Sequence, residues 1–293
     1  MNDFLQVCSN GVAAGSEYAL VAIGFALTYR VFRFFNLAYG VPLAIAPYGT
    51  YFLLIRGVPL AVSGACGVVA AIGSGLLIEL MLFRRLRNSS CSPLGFLLAS
   101  LGMLFAVQSL MSLCFGDSTL SIRTKEAQEG FRLLAIHITP VQVTAIILSI
   151  AIAAATWALV DYSHWGVILR AIGSDAELST IMGVNRNKTG LSIAAIGALV
   201  AGTAGLVTGY DVGLVPSIGY HAVLGGVVAM IIGGCDSTLG PLAAGICLGA
   251  VENGAAWFLP TQWQNTTLYL VLVLILLLRP EGLTGQPRRS VAL

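Results

Sequence analysis

The sequence predicts an all-α polytopic membrane protein of eight to nine transmembrane helices, in a single domain over 1–293. Three observations carry this. Apolar residues make up 57% of the 293, charged residues only 10%, and the mean hydropathy is +0.89; a soluble domain carries about a quarter charged residues. Apolar runs of about 20 residues recur, long enough to cross a bilayer as helices that satisfy their own backbone. Lysines and arginines gather in alternate connections. The net charge of +2, with no basic cluster interleaved with aromatics, excludes a nucleic-acid surface. The six cysteines (Cys8, Cys66, Cys91, Cys114, Cys235, Cys247) show no CxxC spacing and no histidine partner, so neither a zinc site nor a redox motif is indicated. Asp3 and the lack of a cationic leader argue against a cleaved signal peptide.

In chain order, spans are expected near 11–29, 37–55, 60–83, 94–115, 140–160, 191–210, 217–235, 240–258 and 265–279. With the 161–191 loop in the cytoplasm, Arg30, Arg33, Arg84, Arg85, Arg87, Arg170, Arg186, Lys188, Arg279, Arg288 and Arg289 all lie inside. Arg56, Arg123, Lys125 and Arg132 lie outside. The positive-inside rule therefore puts the N-terminus outside and the C-terminus in the cytoplasm, with 116–139 as the main external loop.

Two spans read as broken helices. The first carries Gly40, Pro42, Pro47 and Gly49; the second carries Gly219, Gly225, Gly226, Gly233 and Gly234, with Pro216 just before it. Backbone freed at such breaks must be satisfied by protein or a water-lined path, and breaks at matching places in two halves point to a translocation path. Spans one to four and six to nine share this layout, and five spans separate their starts, so the halves would form an inverted repeat. Small residues four apart (Gly11 and Gly15, Ala201 and Gly205, Gly205 and Gly209, Gly245 and Gly249) mark close helix packing rather than a substrate role.

The loop 161–191 is the long polar interval between apolar segments. Ser174 followed by Glu177 reads as a capping box, Leu178, Ile181 and Met182 fall on one helical face, and Gly183 supplies a left-handed stop. Helices that short are unstable alone in water. This one either lies on its own subunit or the lipid interface, or docks its apolar face, flanked by Arg170 and other cations, into a groove on another protein.

Ionisable groups inside spans need a reason to be there. Glu79 reads as pairing or snorkelling near the cytoplasmic end, Glu17 as lying near the external end of the first span, and Glu252 with Asn253 as facing the interior of the eighth. Path-lining candidates are Glu17, Asn36, Tyr39, Gly40, Pro42, Ser217, Gly219 and Tyr220, mostly small or neutral, which suits a net-uncharged solute. No second ligand lies at metal spacing from His137, His164 or His221, no nucleophilic triad is apparent, and no GxxxxGK[ST] loop occurs. The chain is thus expected not to be an enzyme. If transport is ATP-driven, another chain binds the ATP.

Six stretches, in order, resemble LivH-type permeases, the membrane subunits of branched-chain amino acid ABC importers, over nearly the whole chain. They are Gly15–Gly24 (GSEYALVAIG), Asn36–Gly40 (NLAYG), Glu79 with Leu86 and Arg87, Arg170–Asn185, Gly233–Ser237 with Gly240 and Pro241, and Arg279–Leu283 (RPEGL). Tyr39, Val41 and Asp236 depart from that family's usual histidine, acidic residue and glycine, which bears on the solute more than on the class. The resemblance implies an inner-membrane subunit importing branched-chain or other neutral amino acids. Its partners would be a second, LivM-like permease, two cytoplasmic ATPase subunits that bind ATP and magnesium, and a periplasmic substrate-binding protein. Arg170, Ser174, Glu177, Leu178, Ile181, Met182 and Gly183 would form the ATPase-coupling segment. The rival readings are a urea or short-amide permease of the same family and a self-sufficient secondary transporter or channel.

Overall fold

The computed structural model describes residues 2–89, 91–122, 131–133, 136–235, 237, 239–258, 260, 263–279 and 282–283. The expected Asp236, Arg123, Lys125, Arg288 and Arg289 lie outside the described residues, as does the Glu177 side chain.

The first half comprises α1 (Asn2–Phe32), α2 (Gly40–Ile55), α3 (Leu60–Ile78), α4 (Arg84–Asn88) and α5 (Pro93–Phe115). A 3₁₀ turn at Leu37–Tyr39 leads into α2, and a π turn at Glu79–Phe83 joins α3 to α4. A short antiparallel pair, β1 (Phe131–Leu133) and β2 (Ile136–Ile138), precedes α6 (Pro140–Asp161). Then come α7 (His164–Ser174), α8 (Ala176–Ile181), α9 (Arg186–Asp211), α10 (Ile218–Gly233), α11 (Gly240–Phe258) and α12 (Gln264–Leu278). Six stretches are long and apolar enough to cross a membrane: Ser9–Phe32, Leu37–Ile55, Leu60–Asn88, Pro93–Phe115, Gln142–Asp161 and Arg186–Asp211. Together with α10, α11 and α12 they occupy the nine expected spans.

The two proline- and glycine-rich spans break at their starts. α2 and α10 are each an uninterrupted 16 residues, roughly 24 Å of helix against about 30 Å of hydrocarbon, preceded by non-helical lead-ins at 33–36 and 212–217. Pro42 falls in the first turn of α2, where a missing N–H removes no intrahelical bond; only Pro47 sits inside the helix. The lead-in to α2 is fixed by Arg33, in the left-handed region at φ 55°, and by aromatic pairs such as Phe34–Phe96, with ring centroids 4.7 Å apart.

The halves are related by inversion. α1 packs on α11 as α9 packs on α3, α1 on α10 as α9 on α2, and α2 on α3 as α10 on α11. The two lead helices cross antiparallel: a Cβ on Gly24 would meet Val200, and one on Gly197 would meet Thr28. The small-residue pairs seen in the sequence face one another. A Cβ on Gly249 would lie 2.2 Å from the Gly15 nitrogen, and one on Gly245 would lie 2.6 Å from the Ala19 nitrogen. Backbone therefore meets backbone where α1 crosses α11. α2 and α10 cross likewise at Gly40 and Gly219. Leu20, Phe25, Leu43 and Met230, all buried, form the centre of the core around these crossings.

Candidate functional site

Two ends of the bundle carry the polar chemistry. At one end, α7 is clamped to its own subunit. A Cβ on Gly166 would strike the Val160 carbonyl at 1.9 Å, and one on Gly173 would strike the Arg30 carbonyl at 2.5 Å, so only glycine permits these approaches. Arg170 donates to the Val160 carbonyl at 2.6 Å and pairs with Asp161 at 3.3 Å; Arg33 Nε donates to the Gly173 carbonyl at 3.0 Å. The segment is thereby fixed to the ends of α6 and α1.

α8 follows directly. Its N-cap is Asp175, whose Oδ1 accepts from the Leu178 N–H at 2.9 Å, and this corrects the expected Ser174 cap. Ser174 belongs to the last turn of α7 and donates back to the Arg170 carbonyl at 2.9 Å, because α7 and α8 are joined by one residue and the chain reaches capping geometry only at Asp175. The stop is as expected. Gly183 has φ +92°, its N–H donates to the Thr180 carbonyl, and the Val184 N–H donates to that of Ser179, a Schellman closure. Ser179 faces inward, while Leu178, Ile181 and Met182 are 57, 77 and 79% exposed. α8 thus holds an apolar face outward on a fixed mount.

Near this end lies a narrow cleft of about 30 Å³ between the lead-in to α2, α1, α3 and α9, lined by Thr28, Asn36, Tyr39, Pro42, Glu79 and Ala198 among others. Glu79, 2% exposed, is ion-paired with Arg87, 8% exposed. Arg87 lies over the Phe32 ring at 5.4 Å, and a Cβ on Gly190, in the first turn of α9, would lie 2.8 Å from Glu79 Oε1. Eight residues is not a usual helical pairing interval. The π turn takes up one extra residue, so the two side chains sit about two turns apart on one face. Asn36 Oδ1 and the Tyr39 hydroxyl are buried here without a hydrogen-bond partner.

At the opposite end a cavity of about 450 Å³ opens between α1, α9, α10, α11 and α12. Its polar wall is Glu17, Tyr18, Thr208, Asp211, His221, Glu252, Asn253 and Tyr269. Its apolar wall is Val21, Val212, Val215, Ile218, Ala222 and Leu268. Tyr18 reaches Glu252 with its hydroxyl, and Glu17 stands close to Asp211. Glu252 Oε2 is sealed from solvent with no partner. Among the described residues, no three histidine, cysteine or acidic side chains converge at metal-ligand spacing.

Of the path candidates, only Glu17 lines this cavity. Asn36, Tyr39 and Pro42 line the narrow cleft; Gly40 and Gly219 touch each other; Ser217 precedes α10, and Tyr220 packs on Phe105 with ring centroids 5.7 Å apart. Sequence reasoning passed over Tyr18, Thr208, Asp211 and Tyr269, while His221, which has no metal partner in the sequence, is exposed at the cavity. The available signal was an ionisable residue at the end of an apolar run, which Asp211 also is.

Helices of membrane-crossing length, an exposed apolar face on α8 at one end and a polar cavity at the other describe a multi-pass membrane protein. Residues 7–277 match the family described as "Branched-chain amino acid transport system / permease component", and the chain belongs to that family. It is 29% identical to the high-affinity branched-chain amino acid transport system permease protein LivH of Salmonella typhimurium, over 97% of this chain and 96% of that one. It is 26% identical to BraD of Pseudomonas aeruginosa over the same shares. It is 31% identical to the xylose transport system permease protein XylH of Escherichia coli, over 43% of this chain and 33% of that protein. The fold is similar to that in the structure "PsaBC from Streptococcus pneumoniae in complex with Fab", with a TM-score of 0.50, 14% identity and coverage of 95 and 92%.

Proposed function

We propose that the chain is the permease subunit of an ATP-driven importer of branched-chain or other neutral amino acids, with no ATPase of its own. Its partners are a second, LivM-like permease, two cytoplasmic ATPase subunits carrying ATP and magnesium, and a periplasmic substrate-binding protein. The N-terminus is outside and the C-terminus inside. The α8 face of Leu178, Ile181 and Met182 sits in a groove on an ATPase subunit, and displacement of α8 reaches the membrane through the clamp of α7 on α1 and α6. The observation that carries this reading is the exposure of three apolar side chains on a helix too short to stand alone, capped at both ends and anchored to a lead helix of the repeat. The arginine-rich ends of α1 and α4 lie near the same end, in keeping with a cytoplasmic face. Differential binding of the partners to the two states supplies the free energy for alternation.

Ile181→Asp or Leu178→Asp leaves the membrane bundle folded and removes substrate-stimulated ATPase in the reconstituted complex, by at least tenfold. A wild-type stimulated rate in either variant would take the coupling role away from α8.

A further inference from the structure

The two clefts are bounded by corresponding elements of the two halves. The outer cavity lies among α1, α9, α10, α11 and α12; the inner cleft lies among α9, α1, the α2 region and α3. Each has one carboxylate on the third helix of its half, Glu79 at the end of α3 and Glu252 on α11. The inner carboxylate is answered by a guanidinium and its cleft is shut to about 30 Å³. The outer one has a sealed oxygen with no partner, in a space of about 450 Å³. A buried carboxylate oxygen left without a hydrogen bond is unfavourable, and Glu17 and Asp211 place two further carboxyl groups in the same lining. The same space is lined by the aliphatic side chains of Val21, Val212, Val215, Ile218 and Leu268. The lining calls for a cation on a branched or linear aliphatic body. The donor geometry does not suit a bare metal ion, because the acidic groups are spread over the wall rather than converged.

We infer that the outer cavity is an ammonium-recognising station on the solute path, in which the primary ammonium of an aliphatic solute takes at Glu252 the place that Arg87 takes at Glu79. This rests on the permease reading and narrows the solute to one bearing a primary amine. Urea, short amides and sugars lack the group the wall selects. The Tyr18 hydroxyl, reaching Glu252, holds that carboxylate in position, and Glu17 and Asp211 offer further carboxyl oxygens to an ammonium in the same space. The ammonium belongs either to a free aliphatic amine or to the amino end of a zwitterionic amino acid.

The test uses the complete permease–ATPase complex in nanodiscs without the binding protein, titrated with 3-methylbutylamine, leucine, 3-methylbutanoate and urea by ligand-observed NMR. The amine binds saturably, and the carboxylate and urea do not. Leucine binding beside the amine assigns the amino end of an amino acid, and the amine binding alone assigns a free amine. Glu252→Gln weakens the amine at least tenfold in a complex that elutes and melts like the wild type, and Glu252→Asp restores part of the loss. Equal binding of urea or 3-methylbutanoate, no amine binding at all, or amine binding untouched by Glu252→Gln would overturn the station. None of these outcomes bears on α8, whose role is decided separately by the stimulated ATPase of Ile181→Asp.

Discussion

The clefts at the two ends are built largely from corresponding helices, yet the one near α8 is closed around the Glu79–Arg87 ion pair and the other stands open beside Glu252, whose Oε2 accepts no hydrogen bond. The difference teaches what an inverted repeat does in a transporter. Two halves of similar architecture, facing opposite ways, cannot both be closed by their own side chains if a solute is to pass. Here the Glu79–Arg87 pair closes the end near α8, and the far end is open. The structure is therefore that of a subunit open at the end away from α8. The clamp of α7 on Arg30 and Arg33 ties the lever to α1, whose other half carries Glu17 and Tyr18. A single helix of 31 residues, roughly 46 Å long, borders both clefts.

The same chemical change should read differently in the two clefts. Glu79→Gln leaves the Arg87 guanidinium buried without its counter-charge and costs about 3–5 kcal/mol, seen as a fall in the unfolding midpoint of the purified subunit in detergent. Glu252→Gln keeps an oxygen for the Tyr18 hydroxyl and alters only the unbonded Oε2 side, which leaves that midpoint unchanged or raised. If both variants lose stability equally, Glu252 has a structural partner beyond Tyr18 and the contrast between the clefts disappears.

A smaller effect separates the true cap of the lever from the expected one. Asp175→Ala removes the bond to the Leu178 N–H and costs about 1 kcal/mol locally, which speeds hydrogen exchange of the Leu178 amide about fivefold. Ser174→Ala, which loses only a back-bond to Arg170, leaves that amide within about 0.5 kcal/mol of wild type.

Much of this architecture is local and was therefore legible in the sequence. The six membrane-length stretches and the shorter apolar helices follow from hydropathy, and the exposed face of α8 from the spacing of Leu178, Ile181 and Met182. The left-handed stop follows from Gly183. The capping error is instructive. Ser174 and Glu177 have the right spacing, but Asp175 also has the right chemistry, and one-residue choices at a helix start are set by how the preceding helix ends. The capping box that does form, Thr139 with Gln142 at the start of α6, has the same spacing with a proline at the first helical position, which fixes the start. The cavity was not legible because its wall is drawn from five helices between residues 14 and 269, and no local pattern records which faces meet. That Glu79 pairs near this end was legible; that its partner is Arg87 was not, because a π turn altered the helical interval, and π turns have no reliable sequence signature. The glycines at 15 and 249 announced close packing, while their mutual contact came from topology alone.

The central claim is that the two clefts alternate and that α8 drives them. In a cysteine-free background of the full complex, Asn253→Cys reports on the outer cavity and Thr28→Cys on the inner cleft through labelling by a small water-soluble maleimide. Trapping the ATPases with a non-hydrolysable ATP analogue should change the two labelling rates in opposite directions, several-fold each, and Ile181→Asp should abolish both changes. Rates that move together, or that still respond in the Ile181→Asp complex, would contradict the account.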